Sequence, residues 1–223
     1  MSKPRDVTKF VTKFSSENSN LDVLINNAGC MVNTREVTED ELDKNFATNT
    51  LGTYLLTSGL LPLLEKSDQA RVITVSSGGM LVQKMNVDDL QFTKMTKYDG
   101  TMAYAQNKRQ QVEMTEDWAK KHSKIHFSVM HPGWADTPAV RSSMPDFYNK
   151  FKDKLRTVGQ GADTVVWLAV SPAPLSAPSG KFWQDRDVVA THLPMAWTRS
   201  SQEEVNKLMT TLQEMETKFS EQK

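Results

Sequence analysis

At 223 residues the chain is long enough to bury one substantial core and leaves little length for a second, so a single domain spanning 1–223 is expected. Its 27 basic and 27 acidic side chains cancel to a formal charge of zero, and neither sign gathers into a block that could track a phosphate backbone. Nucleic acid is therefore not an expected partner. The single cysteine, Cys30, excludes an intrachain disulfide and a cysteine-built zinc site, and it fits a reducing, cytoplasmic compartment.

Residues 6 to 17 carry Val7, Phe10, Val11 and Phe14 at helical spacing, and no run there resembles a signal peptide. Asn18 to Asn20 supply turn residues before the apolar strand 21–25. The alternation then repeats: a helix near 38–65 leads to a strand over 71–75, a helix near 103–121 to a strand over 125–130, and a helix over 161–170 to a strand over 181–183. The Pro- and Ser-rich stretch 171–180 reads as a loop, and 138–158 as a flap over a pocket. From 201 to 219, Val205, Leu208, Met209, Leu212, Met215 and Phe219 mark one face of an amphipathic helix that covers the domain. Helices alternating with short apolar strands predict an α/β fold, a doubly wound parallel sheet covered on both faces. No stretch reaches the roughly 18 apolar residues of a membrane span.

Tyr104 and Lys108 stand four residues apart, hence on one helical face within reach of a common ligand. A free phenol ionises near pH 10, roughly, and a nearby cation favours the ionised form, which suits acid–base work near neutrality. Tyr148 and Lys152 repeat the spacing. Context separates the pairs: Ser76 and Ser77 end the strand before Tyr104, at the carboxyl edge where α/β sheets bind ligands, whereas Tyr148 follows no strand. His122, His126, His131 and His192 show no metal-ligand grouping, so no metal is expected. Ser77 lies in no G-x-S-x-G elbow, which disfavours a serine hydrolase.

Asn26-Asn27-Ala28-Gly29 after a strand, Asn49 in NTLGTYLLT, VSSGG ending a strand, YAQNK, and His131-Pro-Gly-Trp-Ala-Asp-Thr-Pro138 occur in the order of one family. From about residue 6 to 187 the chain resembles the short-chain dehydrogenases/reductases, and NVDDLQF and GADTVVWLAVSP resemble their retinol-dehydrogenase-like branch. The resemblance implies a Rossmann-like fold and an NAD- or NADP-dependent interconversion of an alcohol and its carbonyl, on a small, apolar, lipid-like molecule. It implies Tyr104 as proton donor and acceptor, Ser77 as hydrogen-bond partner of the substrate oxygen, and Lys108 lowering the Tyr104 pKa and binding nicotinamide ribose. Asn49 would hold a relay water, Asn26, Asn27, Ala28 and Gly29 would line the cofactor, and Pro132, Gly133 and Thr137 would flank the nicotinamide amide.

The family opens with a strand, a Gly-x-x-x-Gly-x-Gly turn and a helix that hold the cofactor pyrophosphate. No glycine precedes Gly29, and Gly159-Gln-Gly161 lacks both the third glycine and the preceding strand. The expectation is an N-terminally truncated sheet, first strands and helices absent, with the strand 21–25 left as an open edge and the NAD or NADP preference unreadable. The competing expectation is a non-catalytic interaction protein, a homo-oligomer or a partner of a full-length relative that pairs through this edge.

Overall fold

The computed structural model describes residues 1–221. Helix α1 (Pro4–Glu17) precedes β1 (Val23–Asn26); α2 (Lys44–Phe46) runs through a widened π turn (Ala47–Leu51) into α3 (Gly52–Leu64), which precedes β2 (Arg71–Val75). Next come α4 (Gly100–Lys121), β3 (His126–Met130), α5 (Pro138–Ser143), α6 (Pro145–Phe151) and α7 (Val158–Val170). The hairpin strands β4 (Lys181–Gln184) and β5 (Asp187–Val188) and the helix α8 (Gln202–Glu221) complete the chain.

The first four strands are parallel and lie side by side in sequence order, with β5 added antiparallel to β4. Alternation of side chains along each strand builds two cores. Leu24, Val72 and Phe127 align across the sheet and pack into one large cluster with Phe46, Leu64, Met114, Trp118 and Leu212. On the opposite face Ile73, Met130 and Trp183 meet Leu168 of α7. Helices thus cover both faces, as the α/β pattern requires. The amphipathic C-terminal helix packs on α1 and α4, burying Val205, Leu208, Met209, Leu212 and Phe219.

Three local features depart from the sequence expectation. The helix near 38–65 begins only at Lys44, because Glu41 adopts a left-handed φ of 59° and the Asp43 carboxylate caps the helix by accepting from Phe46 N at 3.0 Å. The strand expected from residue 21 starts at Val23. Strand β5, not foreseen, follows a turn in which Asp185 and Arg186 both take positive φ (53° and 66°). Among the described residues β1 has a strand partner on one side only, β2, and Ile25 remains 41% exposed.

Candidate active site

The carboxyl ends of β1, β2 and β3 open into one cleft of about 460 Å³, on the side where parallel sheets present ligand sites. From β1 come Asn27, Ala28, Gly29 and Cys30; from β2, Ser76 and Ser77; from β3, His131, Pro132 and Gly133. Tyr104 and Lys108 of α4 form its floor, and Thr137 lies at the rim. Asn26 and Asn49 are not on the wall. Asn26 points to the α3 side of the sheet, donating to Thr57 Oγ1 at 2.9 Å and Thr74 Oγ1 at 3.4 Å, which puts it away from a ligand in the cleft.

Asp99 caps α4 by accepting from Met102 N at 3.0 Å, which fixes the helix start and so the direction of Tyr104. The Ser77 hydroxyl faces the Tyr104 phenol closely enough to favour its ionised form, and its Oγ accepts from Gly79 N at 3.3 Å. The neighbouring Ser76 is occupied elsewhere: it is buried and donates to the Lys108 carbonyl at 2.9 Å. Tyr148 sits on α6 under the Arg141 guanidinium and does not line the cleft.

Lys108 is 3% exposed, yet among the described residues no carboxylate pairs with it. Its Nζ donates to the Val75 carbonyl at 2.8 Å and to Gln111 Oε1 at 3.1 Å, and stands 5.4 Å from the centroid of the Tyr104 ring. Burial pushes this amine down to about 8. Burial also pushes the Tyr104 phenol up to about 12, with the nearby Ser77 hydroxyl opposing and the Cys30 thiol adding to the rise. Desolvation outweighs any pull from Lys108, whose ammonium lies over the Tyr104 ring, so the phenol sits above its ordinary value. His131, held neutral by burial, is pushed down to about 4.

Asn49 lies within the π turn, a distortion that recurs at functional sites. Its side chain is committed to the segment after β1, accepting from Cys30 N at 2.9 Å and donating to the Cys30 carbonyl at 2.8 Å. A Cβ added to Gly29 would stand 3.0 Å from Asn49 Oδ1 and 3.5 Å from Lys108 Nζ, so only glycine leaves this wall unstrained. The Asn49 carbonyl accepts from Gln111 Nε2 at 2.7 Å, and Thr50 Oγ1 donates to Gln110 Oε1 at 2.6 Å. Nothing in the polar run 106–111 announces this buried amide seam between α4 and the π turn.

The apolar mouth is built by Met31, Trp134, Val140 and Met144. Thr137 caps α5, accepting from Val140 N at 3.3 Å. Ser143 ties α5 across the cleft, donating to the Met31 carbonyl at 2.9 Å and accepting on its own carbonyl from Asn33 Nδ2 at 2.8 Å. Gly133 has φ 72°, and the Arg156 guanidinium lies where its Cβ would be, held by Asp185 and by the Pro132 carbonyl. Among the described residues no cluster of three His, Cys, Asp or Glu could hold a metal.

The short chain dehydrogenase profile matches residues 1–88. The chain is 60% identical to the human dehydrogenase/reductase SDR family member 12 over 219 residues, 98% of this chain and 68% of that protein. The chain belongs to the short-chain dehydrogenase/reductase family. Mouse retinol dehydrogenase 12 is 31% identical over 83% of this chain and 59% of its own length, and human polyprenol dehydrogenase 31% over 84% and 60%. In fold, the chain matches a short chain dehydrogenase from Escherichia coli complexed with NADPH, with a TM-score of 0.60, 21% identity, and coverage of 81% of this chain and 69% of that one. The family is one of oxidoreductases, and among the described residues no helix is long and apolar enough to cross a membrane.

Proposed function

We propose that the cleft interconverts an alcohol and its carbonyl with a nicotinamide cofactor, Tyr104 exchanging the proton, Ser77 holding the substrate oxygen and Lys108 supplying positive charge. The observation that supports this reading best is the buried Lys108 ammonium without a carboxylate partner, stacked on a tyrosine whose hydroxyl meets a serine. Such an amine costs stability, a cost that functional sites carry.

The residues present fit the nicotinamide–ribose end of NAD or NADP. Gly29 leaves room for close approach, Lys108 keeps one N–H uncommitted after its two hydrogen bonds, and Pro132, Gly133 and Thr137 line the adjoining wall. For a pyrophosphate the lining offers Lys108 as its sole cation and no glycine-rich helix start. When bound, the cofactor supplies or takes up hydride.

The protein's own groups then have defined work. With its phenol at about 12, Tyr104 is protonated at neutral pH and is poised to donate to a carbonyl oxygen. Ser77 fixes that oxygen beside it. With its amine at about 8, Lys108 is mostly an ammonium at neutral pH and stabilises the tyrosinate that proton delivery creates. Met31, Trp134, Val140 and Met144 at the mouth favour an apolar substrate, in keeping with the retinol and polyprenol in the names of two relatives. The competing reading, an interaction protein pairing through β1, draws on the open edge alone and gives the buried ammonium no use.

Turnover of a long-chain apolar aldehyde such as retinal, with either reduced cofactor, tests the proposal. Tyr104→Phe is expected to lower the rate by about 10²- to 10⁴-fold. A rate that survives this change in a folded protein would overturn the reading.

A further inference from the structure

Gln111 is one turn beyond Lys108, 1% exposed, and it touches both halves of the site described above. Its Nε2 donates to the Asn49 carbonyl at 2.7 Å and approaches Thr53 Oγ1 at 3.4 Å, while its Oε1 accepts from Lys108 Nζ at 3.1 Å. The amide has only one workable orientation. A backbone carbonyl can only accept, so Nε2 must face Asn49, and this forces the carbonyl oxygen of the amide toward the ammonium. The π turn is what presents the Asn49 carbonyl to a side-chain donor from α4, since a widened turn opens the helical ladder.

We propose that Gln111 is a positioning residue of the proton-transfer site, a rigid amide bridge that anchors Lys108 to the π turn and holds its positive charge under the Tyr104 ring. This rests on the roles given above to Tyr104 and Lys108. The titratable groups facing Lys108 are Tyr104 on its own helix and the Cys30 thiol after β1. β2 presents the Val75 carbonyl and the π turn presents the Asn49 amide, both neutral. In this setting Gln111 and Val75 are the two acceptors that favour the charged amine over the neutral one. Loss of Gln111 therefore releases the side chain and eases its deprotonation, whereas a carboxylate in the same place strengthens the ammonium.

The test is the titration of Lys108 by NMR in the full chain labelled at lysine, the signal assigned from its loss in Lys108→Arg. Gln111→Met should lower the midpoint by about one pH unit, an order-of-magnitude loss of proton affinity, and Gln111→Glu should raise it by at least as much. In turnover the limb of the pH–rate profile governed by Lys108 should move in the same two directions, while the substrate KM stays nearly constant. A purely structural role for Gln111 predicts lower stability with both midpoints within about 0.3 unit of the parent, and that result overturns the proposal. A measurement on the unaltered chain guards against variants that do not fold: the Gln111 side-chain amide ¹⁵N signal should shift at the Lys108 midpoint, and a signal indifferent to that titration overturns the bridge as well. The two readings fail separately. Full activity in Tyr104→Phe would remove the catalytic assignment without altering these titrations, whereas unmoved titrations with an inactive Tyr104→Phe would remove Gln111 alone.

Discussion

Replacing Lys108 with Met should change how stability depends on pH more than it changes stability itself. In the folded protein burial holds the amine at about 8, against 10.5 for the free side chain. The unfolded chain therefore binds the proton more tightly, and the folded state carries the full penalty at pH below about 8. As pH rises from about 8 to 10.5 the unfolded amine also loses its proton, and the penalty fades. A depression of this size corresponds to about 3 kcal/mol at roughly 1.4 kcal/mol per pH unit. Met removes the titration, and it also leaves the Val75 carbonyl and Gln111 Oε1 without a donor, at a cost of about 1–3 kcal/mol that does not vary with pH. Tyr54 and Tyr98 also have raised pKa values and oppose stability at high pH, but they are common to both proteins and cancel, while Tyr104 and the Cys30 thiol, both raised, lie beside Lys108 and add a smaller difference of their own. Urea unfolding of both proteins from pH 7 to 10.5 should show the parent gaining about 3 kcal/mol relative to Lys108→Met. Parallel curves would refute the claim that Lys108 is a buried, unpaired cation.

Tyr148→Phe should leave turnover within about two-fold of the parent while Tyr104→Phe lowers it by about 10²- to 10⁴-fold, because only Tyr104 faces the serine and the lysine; steady-state rates on both variants check this, and equal losses would refute the site. His131 is depressed to about 4, so acid favours the unfolded state between about pH 6.5 and 4, and His131→Gln should lose less stability than the parent on acidification across that window, as followed by denaturant unfolding. Phe127→Ala, at a fully buried β3 position stacked on Trp118 of α4, should cost about 3–5 kcal/mol in the same assay, and a loss below about 1 kcal/mol would contradict the packing described.

The parts of the fold carried by periodicity were legible. The strand at 71–75 has the expected bounds, and the Tyr104–Lys108 spacing together with the two serines ending that strand named four residues that line one cleft. What stayed hidden depends on tertiary contacts. The turn at Asp185 and Arg186 carries none of the Asn-Gly or Gly-rich signals of a tight hairpin. It is held by two ion pairs with distant residues, Arg156–Asp185 and Asp163–Arg186. The direction of Asn26 is set by hydroxyls on α3 and β2, which no local pattern announces. The amides of α4 carry no apolar signal that would mark them as buried, and their burial follows from a matched donor, Thr50 Oγ1, and a matched acceptor, the Asn49 carbonyl, on the π turn.

The most direct test of the account is a binding comparison between reduced nicotinamide mononucleotide and NADPH, titrated calorimetrically into the 223-residue chain. The cleft serves the nicotinamide–ribose end and its lining provides nothing for the pyrophosphate beyond Lys108, so the two ligands should bind within about ten-fold of each other, near millimolar, and both should weaken in Lys108→Met. NADPH binding more than about 100-fold tighter than the mononucleotide, or binding of either that ignores Lys108, would contradict it.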